Sequence, residues 1–485
     1  MALDFLHNVF IYRGAISPLL LFDLKGRYSG DEGYALDSTV SLLAATAMSL
    51  EQSLGSSFSR LSFGGASLFI KSFGQVFFVA QCASTTNEAL LSTALSLAHK
   101  LLVLHFGPSY VIKSKSPLKR HSSTISCFIN VAFELVFSDV SHFLNAIPAP
   151  ILDQTIQKEL ESMLRRSCSA LGNVAFHSFL FVETQQIASL LRSSVRTPPP
   201  EFSAYVYALT KLKLVIQQPI PPTDTGVLAN FSECFVHIDD KFEQYGLALF
   251  PLSLSTEKPV LIVLLYNALE KAAVSQAAAD FVAQAKKHLD LLICLALTID
   301  KRSSCLPASA SFPGLCNFVV VNRYSDCSLS FVHQGCASID DAALQRFGEQ
   351  EGVGVIGSKL VSGLKNKLTH WVVTCQDALT RSDTCFLIDR TSRFTMVFRL
   401  WFWVHSSGCV LDVPLPPKSC SKSSSSPSSL TDNRYKDILS RLKYRKVNIT
   451  EVYAIFLSPL ALDEILLCMD GLKYYVYSNY FMNSK

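Results

Sequence analysis

Few residues of this chain have the types and spacing that could do chemistry. Gly352, Gly354 and Gly357 spell G-x-G-x-x-G, which seats a pyrophosphate on a helix N-terminus when it directly follows a buried strand. Here the preceding stretch Asp340–Gln350 is polar and reads as helix. Gly357-Ser358-Lys359 also inverts the Gly-Lys-Ser/Thr order of a phosphate loop, so the segment reads as a flexible glycine-rich turn. His99 and His105 sit six apart on a stretch apolar almost all round, the setting of core or interface histidines and not of a dyad. The chain has no G-x-S-x-G elbow. Asp31-Glu32 is an adjacent acidic pair in a turn, its carboxylates pointing in different directions. Fourteen cysteines include Cys305, Cys316 and Cys327, eleven apart, and there is no C-x-x-C or H-x-x-x-H pair to seed a zinc site. No catalytic residue, metal ligand or cofactor is expected.

The composition redirects the question from chemistry to surface. Charged residues are 17% of 485, against about 25% in an average soluble domain, while hydrophobic residues reach 49%. Mean hydropathy is +0.29. Such a chain either enters a membrane or keeps sizeable faces against a partner. The most apolar runs, Pro259–Tyr266, Val76–Ala80 and Leu289–Ile299, fall short of the roughly 18 to 20 residues of a spanning helix, so none is expected to span. Met1–Tyr12 carries Asp4 and no basic region, unlike a secretory leader. A cytosolic chain with reduced thiols is expected, where sequons at Asn230 and Asn448 are idle. Net charge is +4 with no basic stripe interleaved with aromatics, which argues against nucleic acid as partner.

The elements follow from punctuation and periodicity. Lys113–Ser123, Lys301–Pro313 and Pro414–Asn433 are breaker-rich zones, the last an insert with serines at Ser423–Ser426. Pro18–Leu24 reads as a strand. Leu36, Val40, Leu43, Ala47, Leu50 and Leu54 make one apolar face of a helix, whose other face (Ser38, Ser41, Ala45, Thr46, Gln52) is small and uncharged. Strands Phe58–Phe63, Ser67–Phe73 and Gln75–Gln81 and a helix Asn87–His105 complete the unit. A similar order returns with a hairpin at Phe176–Leu191, a helix opened by Pro198–Pro200, strands Cys234–Ile238, Tyr245–Leu252 and Val260–Tyr266, and a long helix Leu269–Leu297. In the last third Phe318–Asn322, Ser328–His333, Trp371–Thr374, Phe386–Asp389, Phe394–His405 and Tyr453–Phe456 read as strands before a final helix holding Leu462, Ile465, Met469 and Leu472. The basic stretch Arg434–Lys446 reads as a helix end that could touch an anionic membrane surface.

Several pieces carry a family likeness. Phe73-Gly74-Gln75-Val76-Phe77-Phe78-Val79-Ala80, then Leu104-His105-Phe106-Gly107, resembles the first domain of the Hermansky–Pudlak syndrome type one protein family, a subunit of the BLOC-three complex. Leu36-Asp37 with Ser41-Leu42-Leu43-Ala44, Phe318–Arg323, Leu400-Trp401-Phe402 running to Val413-Pro414, Arg434–Leu439 and Glu451-Val452-Tyr453 are similar to its pieces in the same order. The related SAND/Mon vacuolar-fusion family is the alternative, on Tyr28–Glu32 and Ser458-Pro459-Leu460. Either resemblance implies an α/β chain of three longin (roadblock-like) domains, each a mostly antiparallel sheet flanked by helices. These would occupy 1–112, 176–300 and 301–485, with a partly helical linker at 113–175 and the serine-rich insert near 414–433.

The first resemblance further implies a Hermansky–Pudlak type four (Ccz-like) longin partner and guanine-nucleotide exchange on Rabs of the thirty-two and thirty-eight type, in biogenesis of lysosome-related organelles. The chain would then be cytoplasmic and recruited peripherally to endosomal or lysosomal membranes. The alternative implies a Mon-Ccz exchange factor for a Rab of the seven type, and a longin scaffold without exchange activity is a third reading. An exchange factor breaks no covalent bond, so the empty motif search fits it. In such heterodimers the first helix and nearby strand edges meet the GTPase, which selects Asp31, Glu32, Ser41, Ala45, Met48 and Ser49 as the expected contact zone.

Overall fold

The computed structural model describes residues 5–13, 19–25, 42, 46, 60–63, 65–108, 110, 121–144, 146–148, 154–169, 171, 175–182, 185–191, 199, 201–215, 230–238, 241–253, 260–288, 312, 314–323, 330–336, 367–376, 378, 385–391, 394–406, 409–412, 447–457 and 461–480. The first strand, β1 (Leu6–Arg13), buries Val9, Phe10, Ile11 and Tyr12 in succession, so both its faces are covered. It pairs antiparallel with β2 (Leu19–Asp23). A meander follows, β3 (Arg60–Phe63), β4 (Ala66–Phe73) and β5 (Val76–Ala83), and β5 returns to lie beside β1. Gly74 turns the chain between Phe73 and Val76 at φ +64°, a left-handed conformation that glycine adopts without steric cost.

Helix α1 (Glu88–Phe106) starts where the Asn87 side chain accepts from the Ala89 and Leu90 backbone N–H groups at 2.9 and 3.2 Å. It stops at Gly107, φ +81°, where a Cβ would meet the Phe235 ring at 3.3 Å. Leu91, Ala94, Leu95, Ala98, Leu101 and Leu102 are fully buried on it. By length and composition α1 is long and apolar enough to cross a membrane, contrary to the sequence expectation, which counted only uninterrupted apolar runs; half of its most apolar window is buried inside the protein. Helix α2 (Ser122–Ser138), in the stretch expected as a linker with helical content, packs on α1 through Ile125, Phe128, Ile129 and Ala132. A short turn α3 (Val140–Phe143) and β6 (Ile147–Pro148) follow.

Helix α4 (Gln154–Ser169) precedes the hairpin β7 (Ala175–Val182) and β8 (Gln185–Leu191). Then come α5 (Phe202–Val215), β9 (Asn230–Ile238), β10 (Lys241–Ser253) and β11 (Val260–Asn267). After a 3₁₀ turn Ala268–Glu270, α6 covers Lys271–Lys286. The rest of the long helix expected to Leu297 lies outside the described residues, save 287–288. Leu160, Leu164, Leu180, Phe250, Ile262, Leu264 and Phe281 join α4, β7, β10, β11 and α6 in one core.

The last module has β12 (Leu315–Arg323), β13 (Ser330–Cys336), α7 (367–376), β14 (Phe386–Arg390), β15 (Phe394–Ser406), β16 (Cys409–Asp412), β17 (Val447–Leu457) and α8 (Leu462–Tyr480). Trp371–Thr374, expected as a strand, is part of α7. Leu368, Trp371, Val372 and Cys375 are all buried and recur at helical steps, so a 3.6-residue period underlies what looked like a short β-branched run.

The three sheets run β2-β1-β5-β4-β3, β8-β7-β11-β10-β9 and, within a longer sheet, β13-β12-β17-β15-β14. Counted within its own module each has the order 2-1-5-4-3. Helical residues lie between second and third strands (Leu42 and Thr46, α5, α7), and a helix follows the fifth (α1, α6, α8). The third sheet adds β6, parallel to β13, and β16 on β15. The chain is thus an α/β protein with three antiparallel sheets and one short parallel addition. By contacts it divides into two units: Met1–Phe143 with Glu201–Pro221 and Ser232–Gly246, and Leu144–Pro200 with Pro222–Phe231 and Leu247–Lys485. Asn87→Ala removes the α1 cap and is expected to cost about 1 kcal/mol, read as a lower denaturant midpoint with unchanged slope.

Candidate functional site

The surface expected to meet a partner, Asp31, Glu32, Ser41, Ala45, Met48 and Ser49, lies outside the described residues, as do Gly352–Gly357, Arg434–Lys446 and the serine-rich insert. Two positions of the expected helix are described. Leu42 and Thr46 are helical, and the Thr46 hydroxyl donates to the Leu42 carbonyl at 2.8 Å, the back-bond a helical threonine makes to residue i−4. Thr46 is exposed, in keeping with the outer face assigned to it. Leu42 is 67% exposed, a large apolar side chain left in water.

The α1 histidines are spent on packing. His99 stacks on Phe73 with centroids 4.2 Å apart and planes 13° from parallel, and its Nδ1 lies 3.1 Å from the Tyr110 hydroxyl. His105 Nδ1 lies 3.0 Å from the Tyr205 hydroxyl, which itself donates to the Glu233 carbonyl at 3.2 Å. Tyr205 has one proton to give, so His105 Nδ1–H is the donor in their contact, an assignment that follows from the network. The chain His105–Tyr205–Glu233 ties α1 to α5 and β9. Burial first, and second the nearby Lys100 for His99 and His121 for His105, lower the pKa of each to about 4. Both rings are therefore neutral near pH 7.

A second polar cluster lies inside the third sheet. Glu451 and Arg323, 0% and 5% exposed, face each other across β17 and β12 with Nε–Oε1 at 2.6 Å. Arg323 also donates to the Leu144 carbonyl at 3.0 Å. The other Glu451 oxygen accepts from Gln376 of α7 at 3.1 Å and from the Tyr453 hydroxyl at 2.6 Å. Alongside, Thr450 donates to Asn322 at 2.9 Å. Both carboxylate oxygens are engaged, which is what allows a charge to stay ionised at this depth. A third buried charge, Lys473 on α8, lies 4.7 Å from the Trp401 ring, 4.7 Å from Trp403 and 4.9 Å from Tyr474, with Asp470 at 3.3 Å.

Burial pushes the thiols up, Cys127 to about 11 and Cys234 to about 12, and burial with the charge of Glu451 raises Cys375 as well. None of these is a thiolate at neutral pH. Among the described residues no group of three or more His, Cys, Asp or Glu could hold a metal. These clusters can seal, register and rigidify, and most of their polar atoms are paired, with Asn322 Nδ2 buried and unpaired. Sequence reasoning missed the Arg323–Glu451 pairing. Its signal was a single charge within each of two apolar runs, since a charge alone in a buried strand demands a partner. No family model and no curated protein matches the chain.

Two outcomes follow. Glu451→Leu strands a buried guanidinium and is expected to cost about 3 to 5 kcal/mol, whereas the double variant Arg323→Met/Glu451→Leu loses less than Arg323→Met or Glu451→Leu alone; chemical unfolding of the parent and these three variants decides it. For the histidines, the unfolded pKa near 6.5 exceeds the folded value of about 4, so the unfolded chain binds more protons between those limits. Their contribution is complete above about pH 6.5 and is lost as pH falls toward about 4, by up to about 3 kcal/mol each. Unfolding midpoints at about pH 7.5 and about pH 5 should differ, and the difference should shrink in His99→Phe/His105→Phe.

Proposed function

We propose that the chain is one subunit of a heterodimeric guanine-nucleotide exchange factor of the BLOC-three type. It pairs with a Hermansky–Pudlak type four (Ccz-like) longin subunit and acts on a Rab GTPase of the thirty-two or thirty-eight type at endosomal, lysosomal or lysosome-related membranes. The observation that carries this reading is the strand order 2-1-5-4-3 repeated in three sheets, each with helical residues after its second strand and a helix after its fifth, in line with the three antiparallel sheets flanked by helices that the resemblance implies. Together with the sequence likeness in the first and last modules, it favours a protein that works by binding surface. Exchange needs tighter binding of the nucleotide-free GTPase than of the loaded one, which distortion of its switch loops provides. The exposure of Leu42, between β2 and β3, supports the partner surface expected in that stretch.

The test is co-expression with the longin partner and measurement of fluorescent GDP release from a panel of endosomal Rabs that includes the thirty-two and seven types. Acceleration on the thirty-two type supports the reading, and acceleration confined to the seven type favours the Mon-type alternative. Stable pairing without acceleration on any Rab leaves a scaffold. Ala45→Arg, which would set a charge in a desolvated contact, is expected to weaken GTPase binding by several kcal/mol with pairing intact. Release at the parent rate in a folded, paired variant places the GTPase elsewhere, and loss of pairing assigns the helix to the subunit interface.

A further inference from the structure

Every residue of β14 keeps part of its surface in water, yet its first three are apolar: Phe386, Leu387 and Ile388, with Phe386 36% and Ile388 37% exposed. The strand ends the order of its sheet, and among the described residues no strand lies beyond it. Two hydrogen bonds fix which backbone groups this leaves open. Leu400 N–H donates to the Cys385 carbonyl and Thr391 N–H to the Phe394 carbonyl, each at 2.8 Å, in phase with the pairs Leu387–Phe398 and Asp389–Met396. Residues of an antiparallel strand bond to one neighbour and to the other by turns. Leu387 and Asp389 therefore bond to β15, and Phe386, Ile388 and Arg390 aim their N–H and C=O groups outward. The third strands of the other two modules are engaged. β9 buries Cys234 and Val236, and on β3 the Arg60 side chain donates to the Ser67 hydroxyl and to the Ser84 and Thr86 carbonyls. An apolar edge with open backbone groups is a template for another strand.

We propose that β14 is a self-association edge, which pairs antiparallel with β14 of a second copy of this chain about a two-fold axis through Ile388. Outward residues can bond only to outward residues, so even-numbered positions face even-numbered ones. Of the registers this allows, one uses the whole strand: Ile388 opposite Ile388, with Phe386 opposite Arg390 at both ends. On that face the two isoleucines touch, and each guanidinium meets the ring of the other copy, a cation–π contact. On the other face Leu387 lies opposite Asp389. Sliding the copies one step toward the C-terminus sets Asp389 against Asp389, and a second step sets Arg390 against Arg390, both repulsive. Sliding the other way drops Arg390 from the ladder. Charge complementarity thus selects a second copy in a single register. Five residues a side are far fewer than the roughly 20 to 30 of a standard interface, so the pairing is reversible and grows with concentration. It is independent of exchange activity.

The test is sedimentation of the full chain from low to high micromolar concentration, expected to show a monomer–dimer equilibrium. Ile388→Pro removes an N–H that faces away from β15, so the sheet keeps its own bonds and the dimer is expected to be lost with an unchanged melting midpoint. Phe386→Arg sets like charges opposite each other and is expected to abolish the dimer too. Adding Arg390→Glu to that variant puts opposite charges at the same two places and is expected to restore the dimer, which an effect of lost apolar surface would not do. Should Ile388→Pro lower the melting midpoint, Phe386→Arg and its double variant, whose side chains already stand in water, decide alone. A monomer at every concentration, a dimer that survives Phe386→Arg or a folded Ile388→Pro variant, or a double variant that stays monomeric would overturn the proposal. A strand of a different chain bound at this edge, while the protein itself stays monomeric, would overturn it as well.

Discussion

Each sheet depends on one long-range closure, the antiparallel pairing of a module's first strand with its fifth. Val9 meets Ala80, Leu180 meets Ile262 and Val320 meets Val452, and these strands sit at the middle of their sheets with both faces covered. A strand buried on two faces is mostly apolar, a polar side chain on it needs a partner, and its backbone groups must be paired on both edges. The fifth strand can supply that only after the helix and meander between have formed. The cost of closing so long a loop rises only with the logarithm of its length, which is why the last module tolerates the stretch between β16 and β17 without losing the pairing. Slow, cooperative folding is the kinetic counterpart of this topology.

The polar groups taken into the interior act on that closure. Arg323 and Glu451 sit on the first and fifth strands of the third sheet, and Gln376 fastens α7 to the same carboxylate, so one ion pair reports strand register and helix docking together. A one-residue slip would turn Glu451 to the opposite face and leave Arg323 without a counter-charge. In the first unit the chain His105–Tyr205–Glu233 fixes α1 against α5 and β9 by hydrogen bonds in place of charge. In both clusters buried polar side chains thus serve structure, and among the described residues desolvation is the first cause of nearly every shifted titratable group, Lys211 with its Tyr207 hydrogen bond being an exception.

Much of the architecture was legible in the sequence, for stated reasons. β5, β11, the Phe318–Asn322 part of β12 and the Tyr453–Phe456 end of β17 were legible as short, mostly apolar runs, and α1 through the helical recurrence of its leucines and alanines from Asn87 to His105. Trp371–Thr374 misled because four residues cannot separate a period of 2 from one of 3.6; the burial of Leu368 and Cys375 on either side decides it. β1 went unrecognised because the first twelve residues were weighed as a leader, although Leu6, Val9, Phe10 and Ile11 have the composition of a central strand. The Arg323–Glu451 pair was illegible for a different reason: its properties come from what the fold sets together, strands 128 residues apart.

The threefold order also allows the segments that join second to third strands to be compared. In each module helical residues join the second strand to the third. In the second module that helix, α5, buries Phe202, Tyr205, Val206 and Leu209, and in the third α7 buries Trp371, Val372 and Gln376. Both are held by apolar contact and by a hydrogen bond, Tyr205 to the Glu233 carbonyl and Gln376 to the buried Glu451 carboxylate. At the corresponding place in the first module the described positions, Leu42 and Thr46, face water. Leaving a leucine in water forgoes about 1.5 to 3 kcal/mol that burial would return. Among the described residues of the three connecting segments, Leu42 thus stands out as a large apolar side chain left in water, and covering it would return that energy.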